Sequence, residues 1–307
     1  MKCINMTKVN AWFKLSRPPF HTVGVLPFIL GTILANYQEQ VFHLAILIWG
    51  VIGVVLIMLA TYYAGEYWDY REDELSASLH PSKFAGGSHI IQQGILPRRF
   101  ARTASFVCLI LALGVGIVLQ FGYRTGPWTL PLGIVGLLGG FFYSARPLRW
   151  VSTGFGELWI GFCYGWLPIA ASFYLQTGYI STLVHWLAIP VGLSIFNVIL
   201  LNEFPDYRAD QAADKKNILV RFGPKRASYL YAYITSGSWI FFVFSLYQGV
   251  PKEAIWFYTP VFFISVFLVV IMLSRRWQDR VILERLCGVN ILVNLGTTAA
   301  YILSFIV

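Results

Sequence analysis

Nine long apolar runs dominate the sequence and limit what the chain can fold into. A helix needs about 20 apolar residues to cross the roughly 30 Å hydrocarbon core of a membrane. The runs lie near residues 20–37, 41–64, 103–122, 128–145, 157–177, 183–202, 228–248, 255–273 and 287–306. They are continuous and do not alternate in polarity, which argues against a transmembrane barrel. The sequence therefore predicts an all-α, polytopic integral membrane protein with about nine transmembrane helices.

The composition agrees with a membrane location. Hydrophobic residues make up 57% of the 307 residues and charged residues only 12%, whereas a soluble domain is usually about 25% charged. Short and long polar gaps alternate between the apolar runs, and no stretch reads as a soluble appendage. We therefore expect residues 1–307 to form a single membrane domain.

The basic residues predict how this domain is oriented. When the N-terminus and every second loop are assigned to one side, 21 of the 23 lysines and arginines fall there, leaving Arg124 and Lys252 for the other side. The positive-inside rule then predicts a cytoplasmic N-terminus in the inner membrane. This asymmetry also accounts for the net charge of +9 without a nucleic-acid partner.

Two acidic motifs share a spaced pattern and follow the second and sixth apolar runs. The first is GEYWDYREDE at 65–74, and the second is NEFPDYRADQ at 202–211. The pseudo-repeat pairs Glu66, Asp69 and Asp73 with Glu203, Asp206 and Asp210. A spacing of i, i+3, i+7 places three side chains on one face of a helix. Both motifs should therefore reach the cytoplasmic side with their carboxylates aligned.

Stacked carboxylates repel one another and need a cation to offset them. Oxygen-only ligands suit Mg²⁺, which is commonly shared between carboxylates and substrate phosphate oxygens. Two facing motifs would hold Mg²⁺ with a diphosphate between them, so the predicted site opens to the cytoplasmic side. The alternative is that the acids are solvated loop charges, which is the expectation for Glu72 and Glu74. The duplication favours the metal interpretation for the other six.

Cations in the loops after each motif complete the predicted diphosphate site. The first loop supplies Lys83 beside paired glycines, whose backbone N–H groups can approach an anion, and then Arg98 and Arg99. The second loop supplies Lys215. The competing interpretation is that these residues only contribute to the positive-inside charge.

Four segments together resemble the UbiA superfamily of intramembrane aromatic prenyltransferases. They are LSRPPFHTVGVLPFILGTILA, EYWDYRED, FYSARPLRWVSTGFGE and NEFPDYRADQAADKKNILVRFG. The resemblance covers nearly the whole chain. It implies nine helices around a central cavity, and transfer of a polyprenyl group from a polyprenyl diphosphate to a small aromatic or quinonoid acceptor, with Mg²⁺ as cofactor.

The resemblance also assigns roles to individual acids. Asp69, Asp73, Asp206 and Asp210 match the catalytic aspartates of the two motifs. Glu66 stands where an aspartate is commoner, and Glu203 occupies the opening acidic place of the second motif. All six acids are expected to bind metal. The longer glutamate side chain favours coordination through water or a shifted ion at positions 66 and 203.

Four further residues are weaker candidates for contact with the acceptor or with an allylic carbocation. Tyr62 and Tyr143 offer aromatic faces for a cation, although such residues are often interfacial or packing groups. The resemblance places Glu157 near the acceptor, but an acid in the first turn of a helix is also stabilised by the helix dipole. Asn197 either faces the cavity or hydrogen-bonds a neighbouring helix, and we expect helix contacts for Asn290 and Asn294.

The segment KFAGGSHIIQQG at 83–94 resembles the dihydroxynaphthoate-prenylating branch of menaquinone synthesis. Prenylation of 4-hydroxybenzoate or another acceptor is the nearest alternative. A transporter is the rival from another class, since internal repeats and buried charges are typical of transporters. The carboxylates, however, lie at helix ends on one side instead of near the membrane midplane.

Overall fold

The computed structural model describes residues 8–79, 82, 84 and 86–307, and within these ranges all regular structure is helical. The α-helices are α1 Lys8–Leu15, α2 Thr22–Glu39, α3 Leu44–Trp68, α4 Tyr70–Leu79, α5 Arg98–Ile117, α6 Thr129–Ser144, α7 Gly156–Gly161, α8 Leu167–Thr177, α9 Thr182–Ala212, α10 Ile218–Tyr247, α11 Ala254–Leu273 and α12 Arg280–Ile306. A π-helical turn, Val118–Gly122, extends α5, and another, Phe162–Trp166, joins α7 to α8.

The described part of the chain contains eight helical stretches long and apolar enough to cross a membrane. They coincide with eight of the nine predicted runs. The remaining run, 128–145, forms α6, which is apolar but only 16 residues long. The predicted all-α membrane fold is confirmed, while the count of nine crossings and the cytoplasmic N-terminus stay predictions.

Helix α9 lies at the centre of the bundle. It packs against α10, α12, α7 and α4, and 67% of its most apolar stretch is buried, compared with 28% for α3. Because the second acidic motif occupies the last turns of this central helix, its carboxylates are held by the protein on several sides.

Polar contacts tie α9 to its neighbours within the apolar core. The side chain of Asn197 donates to the carbonyl of Tyr231 on α10 at 3.1 Å. From α12, Asn290 donates to the carbonyl of Asn197 at 2.9 Å, and Asn294 donates to Ser194 at 2.8 Å. The helix contacts predicted for Asn290 and Asn294 are confirmed. Asn197 takes the second of its two alternatives, a bond to a neighbouring helix.

Helix α7 and the π-helical turn after it approach α9 closely because glycines face each other at the contact. A Cβ atom on Gly165 would lie 2.5 Å from the Cα atom of Gly192, and one on Gly161 would lie 3.0 Å from the Gly192 carbonyl oxygen. Small residues allow this backbone contact in a membrane bundle. The contact brings Glu157, at the start of α7, beside Glu203 of the second motif.

Candidate active site

A cavity of about 230 Å³ lies where α3 and α4 meet the last turns of α9. Residues from both acidic motifs form its wall, namely Asp69, Asp73, Glu203, Asp206 and Asp210. Arg17, Lys215 and Asn217 join them there. The convergence predicted for the two motifs is therefore present, and a residue from the segment before α2 completes the ring of charge.

Asp69 is held by two donors, one at the end of α6 and one in the segment that follows it. The hydroxyl of Ser144 donates to its Oδ2 at 2.5 Å, and a guanidinium nitrogen of Arg149 lies 3.2 Å from its Oδ1. Burial raises the pKa of Asp69, although nearby Lys215 and the Ser144 hydroxyl oppose this shift. One carboxylate of the first motif is thus oriented by two side chains that the sequence analysis did not single out.

Glu72 is a correction to the expectation of a solvated acid. It is 8% exposed and forms an ion pair with Arg149, which also contacts Asp69. Burial is the largest single influence and would raise the pKa of Glu72, but the hydrogen bond and charge of Arg149, a backbone hydrogen bond and the charge of Lys215 together lower the pKa below the ordinary value. Glu74 is exposed, as expected.

The first motif does not form one continuous helix face, so that part of the prediction is wrong. Helix α3 ends at Trp68, and Asp69 leaves helical geometry with φ −93° and ψ 16° before α4 begins. Glu66 is turned towards Arg17, whose guanidinium is 3.2 Å away, and accepts the backbone N–H of Ser88 at 2.7 Å. Among the described residues of the cavity wall, Glu66 is absent.

Paired glycines after α4 hold the backbone close to the first motif. Gly86 and Gly87 both have positive φ, 73° and 71°. A Cβ atom on Gly87 would lie 2.2 Å from Oδ2 of Asp73, and one on Gly86 would lie 2.5 Å from the Ser76 hydroxyl. These glycines were predicted to bring backbone N–H groups towards an anion. The described structure brings them against α4 and the wall of the cavity.

Asp73 has the strongest tendency in the first motif to keep a proton. Burial raises its pKa well above the ordinary aspartate value, and the charges of Glu66 and Asp69 raise it further. A cation in the cavity would therefore offset an unfavourable concentration of negative charge at this carboxylate.

The second motif is linked to the first and to the loop that follows it. The Ser76 hydroxyl of α4 donates to Asp206. At the next turn, Asp210 accepts a hydrogen bond from Asn217 at 2.8 Å and lies 2.9 Å from the ammonium nitrogen of Lys215. Burial opposes the charge on Lys215, but Asp210 and Asp69 raise its pKa above the ordinary lysine value. This lysine is a fixed positive charge in the cavity wall.

Glu157 and Glu203 form a buried carboxyl pair at the edge of the cavity. Oε1 of Glu157 accepts the backbone N–H of Ile218 at 2.6 Å, which caps the start of α10. Oε2 of Glu157 and Oε2 of Glu203 are buried and have no hydrogen-bond donor among the described residues. Only Glu203 belongs to the cavity wall. The two carboxyl groups interact with each other, so the pair places buried carboxyl oxygens beside the site.

Tyr62 and Tyr143, the two predicted aromatic candidates, both line the cavity. Tyr164, on the π-helical turn between α7 and α8, lines it as well and contacts Tyr62. Nothing in the sequence distinguished Tyr164 from other membrane tyrosines, because its exposure to the cavity depends on how the turn Phe162–Trp166 packs against α9 and α2.

The basic residues predicted to bind the diphosphate divide into three groups. Lys215 lies in the wall. Lys83 lies outside the described residues. Arg98 donates to the carbonyl of Tyr67 at 2.7 and 2.9 Å, and Arg99 is exposed at the start of α5, so the structure does not bring either one to the described cavity wall. Arg17 also lies in the cavity wall, although the sequence did not predict it as a site residue.

The donor atoms fit a hard cation shared with a ligand better than a closed metal cage. Within the described ranges, no three His, Cys, Asp or Glu side chains are close enough together to hold one ion. Mg²⁺ needs only one or two carboxylates, because waters and substrate phosphate oxygens complete its shell. Asp69 with Asp73, and Asp206 with Asp210, offer such carboxylates on opposite sides of one cavity.

The chain is similar to several characterised proteins. It is 29% identical over 258 residues to the 1,4-dihydroxy-2-naphthoate octaprenyltransferase of Bacillus subtilis, covering 78% of each chain. It is 26% identical to the enzyme of that name from Mycobacterium tuberculosis, covering 74% of each. Identity to the 2-carboxy-1,4-naphthoquinone phytyltransferase of Synechocystis is 25%, covering 71% of this chain and 67% of the relative.

Solved structures share the fold. A UbiA homolog from Archaeoglobus fulgidus bound to GPP and Mg²⁺ superposes with a TM-score of 0.66 at 16% identity, covering 95% of this chain and 99% of that one. The apo UbiA homolog from Aeropyrum pernix gives 0.67 at 17% identity, covering 92% and 97%. Residues 24–291 match the UbiA prenyltransferase family. This match, which covers most of the chain, shows that the protein belongs to the UbiA prenyltransferase family.

Proposed function

We propose that this protein transfers a polyprenyl group from a polyprenyl diphosphate to a dihydroxynaphthoate-type ring, in a Mg²⁺-dependent step of menaquinone formation. The names of its relatives in Bacillus subtilis and Mycobacterium tuberculosis support this acceptor class. The Archaeoglobus fulgidus homolog, bound to GPP and Mg²⁺, supports the donor and the metal.

One observation carries the proposal. Asp69, Asp73, Asp206 and Asp210 line a single cavity together with the ammonium group of Lys215. Carboxylates that hold divalent cations on two sides, with fixed positive charges between them, match the charge distribution of a metal-bound diphosphate. A transporter site near the membrane midplane would not need this arrangement at the ends of helices.

The four aspartates would hold Mg²⁺, which when bound neutralises the diphosphate and helps it leave. Arg17 and Lys215 stabilise the charge that builds on the departing oxygen. Arg149 and Ser144 keep Asp69 in position through their contacts with its two oxygens. Glu66 holds Arg17 in place through their ion pair, and Glu203 lies at the edge of the cavity.

The bond between the prenyl carbon and the diphosphate oxygen breaks, and the electron pair leaves with the diphosphate. An electron-rich ring carbon then attacks the allylic cation, and a carbon–carbon bond forms. The same ring carbon loses its hydrogen as a proton to solvent, or its carboxylate as carbon dioxide, and the electron pair of the broken bond restores the aromatic ring. The faces of Tyr62, Tyr143 and Tyr164 line the cavity and stabilise the cation.

We infer that residues 1–307 act as one membrane domain with the site on the cytoplasmic side of the inner membrane. The sequence places 21 of 23 basic residues on the side that carries both acidic motifs. Polar contacts such as Asn197 to Tyr231 connect helices across the bundle and support one cooperative unit.

The test uses purified protein in detergent with one polyprenyl diphosphate and a panel of aromatic acceptors, with products identified by mass spectrometry. We expect a prenylated naphthalene product that depends on Mg²⁺. Asp69→Asn and Asp206→Asn should each reduce its formation by at least about 100-fold. The exposed Glu74 on α4 gives the matched control, Glu74→Gln. Full activity in either aspartate variant, or ion-dependent flux in proteoliposomes without any product, would contradict the proposal.

A further inference from the structure

Three arginines lie in the first turns of α5, at the end of the bundle that carries the acidic motifs. Arg98, Arg99 and Arg102 are all exposed, and the first turn of the helix contains no acid. Cations at the start of a helix are unfavourable because they face the positive end of its dipole. Arg98 and Arg102 also occupy positions i and i+4, so their like charges lie on one helix face and repel each other.

Arg98 and Arg102 both pack on the ring of Tyr67. The guanidinium carbon of Arg98 lies 4.6 Å from the ring centroid, and that of Arg102 lies 5.4 Å from the same centroid. No more than about 10 Å therefore separates the two guanidinium groups, a distance over which charges still interact at about 0.1 M salt. Arg98 also donates to the Tyr67 carbonyl at 2.7 and 2.9 Å, which fixes its position at the end of α3.

No acid among the described residues balances this pair of charges. The ion pairs found in the described ranges belong to Arg17, Arg149 and Lys215. The positive-inside rule explains why basic residues lie on this side of the bundle, but it does not require two of them to share one aromatic ring. An anion bound between the two guanidinium groups would offset their repulsion.

A surface cleft of about 480 Å³ lies at this place, between the end of α3 and the start of α5. The described residues of its wall are Tyr67, Trp68, Arg102, Thr103 and Phe106. Tyrosine and tryptophan side chains are enriched at the level of the lipid headgroups, where the aromatic ring is apolar and its polar edge is hydrated. The cleft is therefore a partly aromatic, positively charged recess at the expected boundary between membrane and water.

The surface of α5 becomes apolar directly beyond the cleft. Phe106 is 49% exposed and Ile110 is 70% exposed. Measured from Arg102, these two residues lie about 6 and 12 Å further along the helix axis. The order of the surface, first a positive charge, then an aromatic ring and then aliphatic side chains, matches the order of a phosphate and an acyl chain in a phospholipid.

We propose that the cleft between α3 and α5 binds an anionic phospholipid, with the phosphate at Arg98 and Arg102 and an acyl chain along Phe106 and Ile110. This inference is independent of the proposed function. A free phosphate would leave the exposed apolar surface without a partner, and a zwitterionic lipid would bring a positive group towards two arginines. Basic pockets between membrane helices are typical sites for anionic headgroups.

The test titrates the full-length protein in detergent with phosphatidylglycerol and with phosphatidylcholine of the same acyl chains, and measures the bound lipid by native mass spectrometry. We expect phosphatidylglycerol to bind more tightly. Arg102→Gln should weaken its binding by about fivefold, the effect of one basic residue at an anionic lipid, and should leave phosphatidylcholine binding unchanged. The matched control is Arg226→Gln, because Arg226 is an exposed arginine on α10 outside the described cleft wall.

A second variant and a labelling experiment separate lipid binding from a change in folding. Arg102→Lys retains a positive charge and should therefore keep more of the phosphatidylglycerol binding than Arg102→Gln. The melting temperatures of the lipid-free variants should equal that of the wild type. In the wild-type protein, a phosphatidylglycerol with a photoreactive group in its headgroup should label residues 67–70 and 98–106, which peptide mass spectrometry detects.

Three outcomes would contradict this lipid site. Equal affinity for the two lipids, or equal losses in Arg102→Gln and Arg226→Gln, would mean that only the general positive charge of this side attracts the lipid. Labelling confined to other helices would place the lipid elsewhere. Competition by inorganic phosphate at the concentration of the lipid itself would identify an anion site that does not recognise a phospholipid.

Discussion

The guanidinium of Arg17 lies 3.2 Å from the carboxylate of Glu66, so the segment before α2 is joined to the end of α3 by an ion pair. The side chain of Glu66 has no exposed surface, while that of Arg17 is 29% exposed towards the cavity. The acid that opens the first motif therefore supports a cation of the cavity wall.

Glu66→Gln should reduce stability more than it changes the response to Mg²⁺. Removing one partner of a buried ion pair is strongly destabilising, but the partial exposure of Arg17 reduces the cost, which we expect to be about 1–3 kcal/mol. The melting temperature in detergent should fall, while the Mg²⁺ concentration that gives half-maximal activity stays within about twofold. A large shift in that concentration, as expected for Asp69→Asn, would show that Glu66 binds metal.

Lys215→Met should weaken donor binding much more than Lys216→Met. The two lysines are adjacent, but Lys215 contacts Asp210 in the cavity wall and Lys216 is exposed. Loss of a fixed positive charge beside the leaving group should lower kcat/KM for the polyprenyl diphosphate by about 100-fold or more. Steady-state kinetics with a fixed acceptor concentration measure this effect. Equal losses in the two variants would argue for a general surface charge.

Activation by Mg²⁺ should become weaker as the pH falls. Burial raises the pKa of both Asp69 and Asp73, so these carboxyls retain protons at pH values where ordinary aspartates are ionised. A cation must displace those protons, and its apparent affinity therefore rises with pH above the ordinary carboxyl range. Titrations of activity against Mg²⁺ across a pH series test the sign. An affinity that is constant through that range would argue against these two ligands.

Gly165→Leu should disrupt the contact between α9 and the π-helical turn that follows α7. Any Cβ atom at Gly165 would overlap the backbone of Gly192, at 2.5 Å from its Cα atom. Overpacking of this kind typically costs about 1–3 kcal/mol, and the cost is higher where backbone must move. Gly114→Leu, which adds the same side chain where a Cβ atom meets nothing within 4 Å, is the control. A melting temperature equal to that of the control would mean that the two helices are not in contact.

The positions of the aspartates could be predicted from the sequence, because they follow from local spacing along a helix. Asp206 and Asp210 lie on one uninterrupted helix, and their convergence with Asp69 and Asp73 follows from the shared topological position of the motifs. The single helix face expected for Glu66 and the solvated state expected for Glu72 were wrong, because α3 does not continue through the motif. Metal binding by Glu66 stays a prediction. Neither Asp69 nor its two neighbours in the sequence is a glycine or proline, so the sequence carries no signal for a helix break there.

The cations were harder to predict. Arg17 and Arg149 are two of 21 basic residues on one side, and their roles depend on residues far away in the chain. Arg149 reaches Asp69 and Glu72 from a left-handed backbone conformation, φ 44°, that sequence spacing does not specify. Arg98 looked equivalent, yet it bonds a backbone carbonyl and packs on the rings of Tyr67 and Tyr70.

The bond between Lys215 and Asp210 also has a consequence for biogenesis. The cavity wall draws on residues from Arg17 to Asn217, which are separated by several membrane helices. A chain that enters the bilayer in order of synthesis has its first acidic motif in place long before this lysine leaves the ribosome. Until α9 and the loop after it are inserted, Asp69 has its contact with Arg149 but lacks the charge of Lys215. We therefore expect the growing chain to gain a complete diphosphate cavity only after α9 and the loop that follows it are in place.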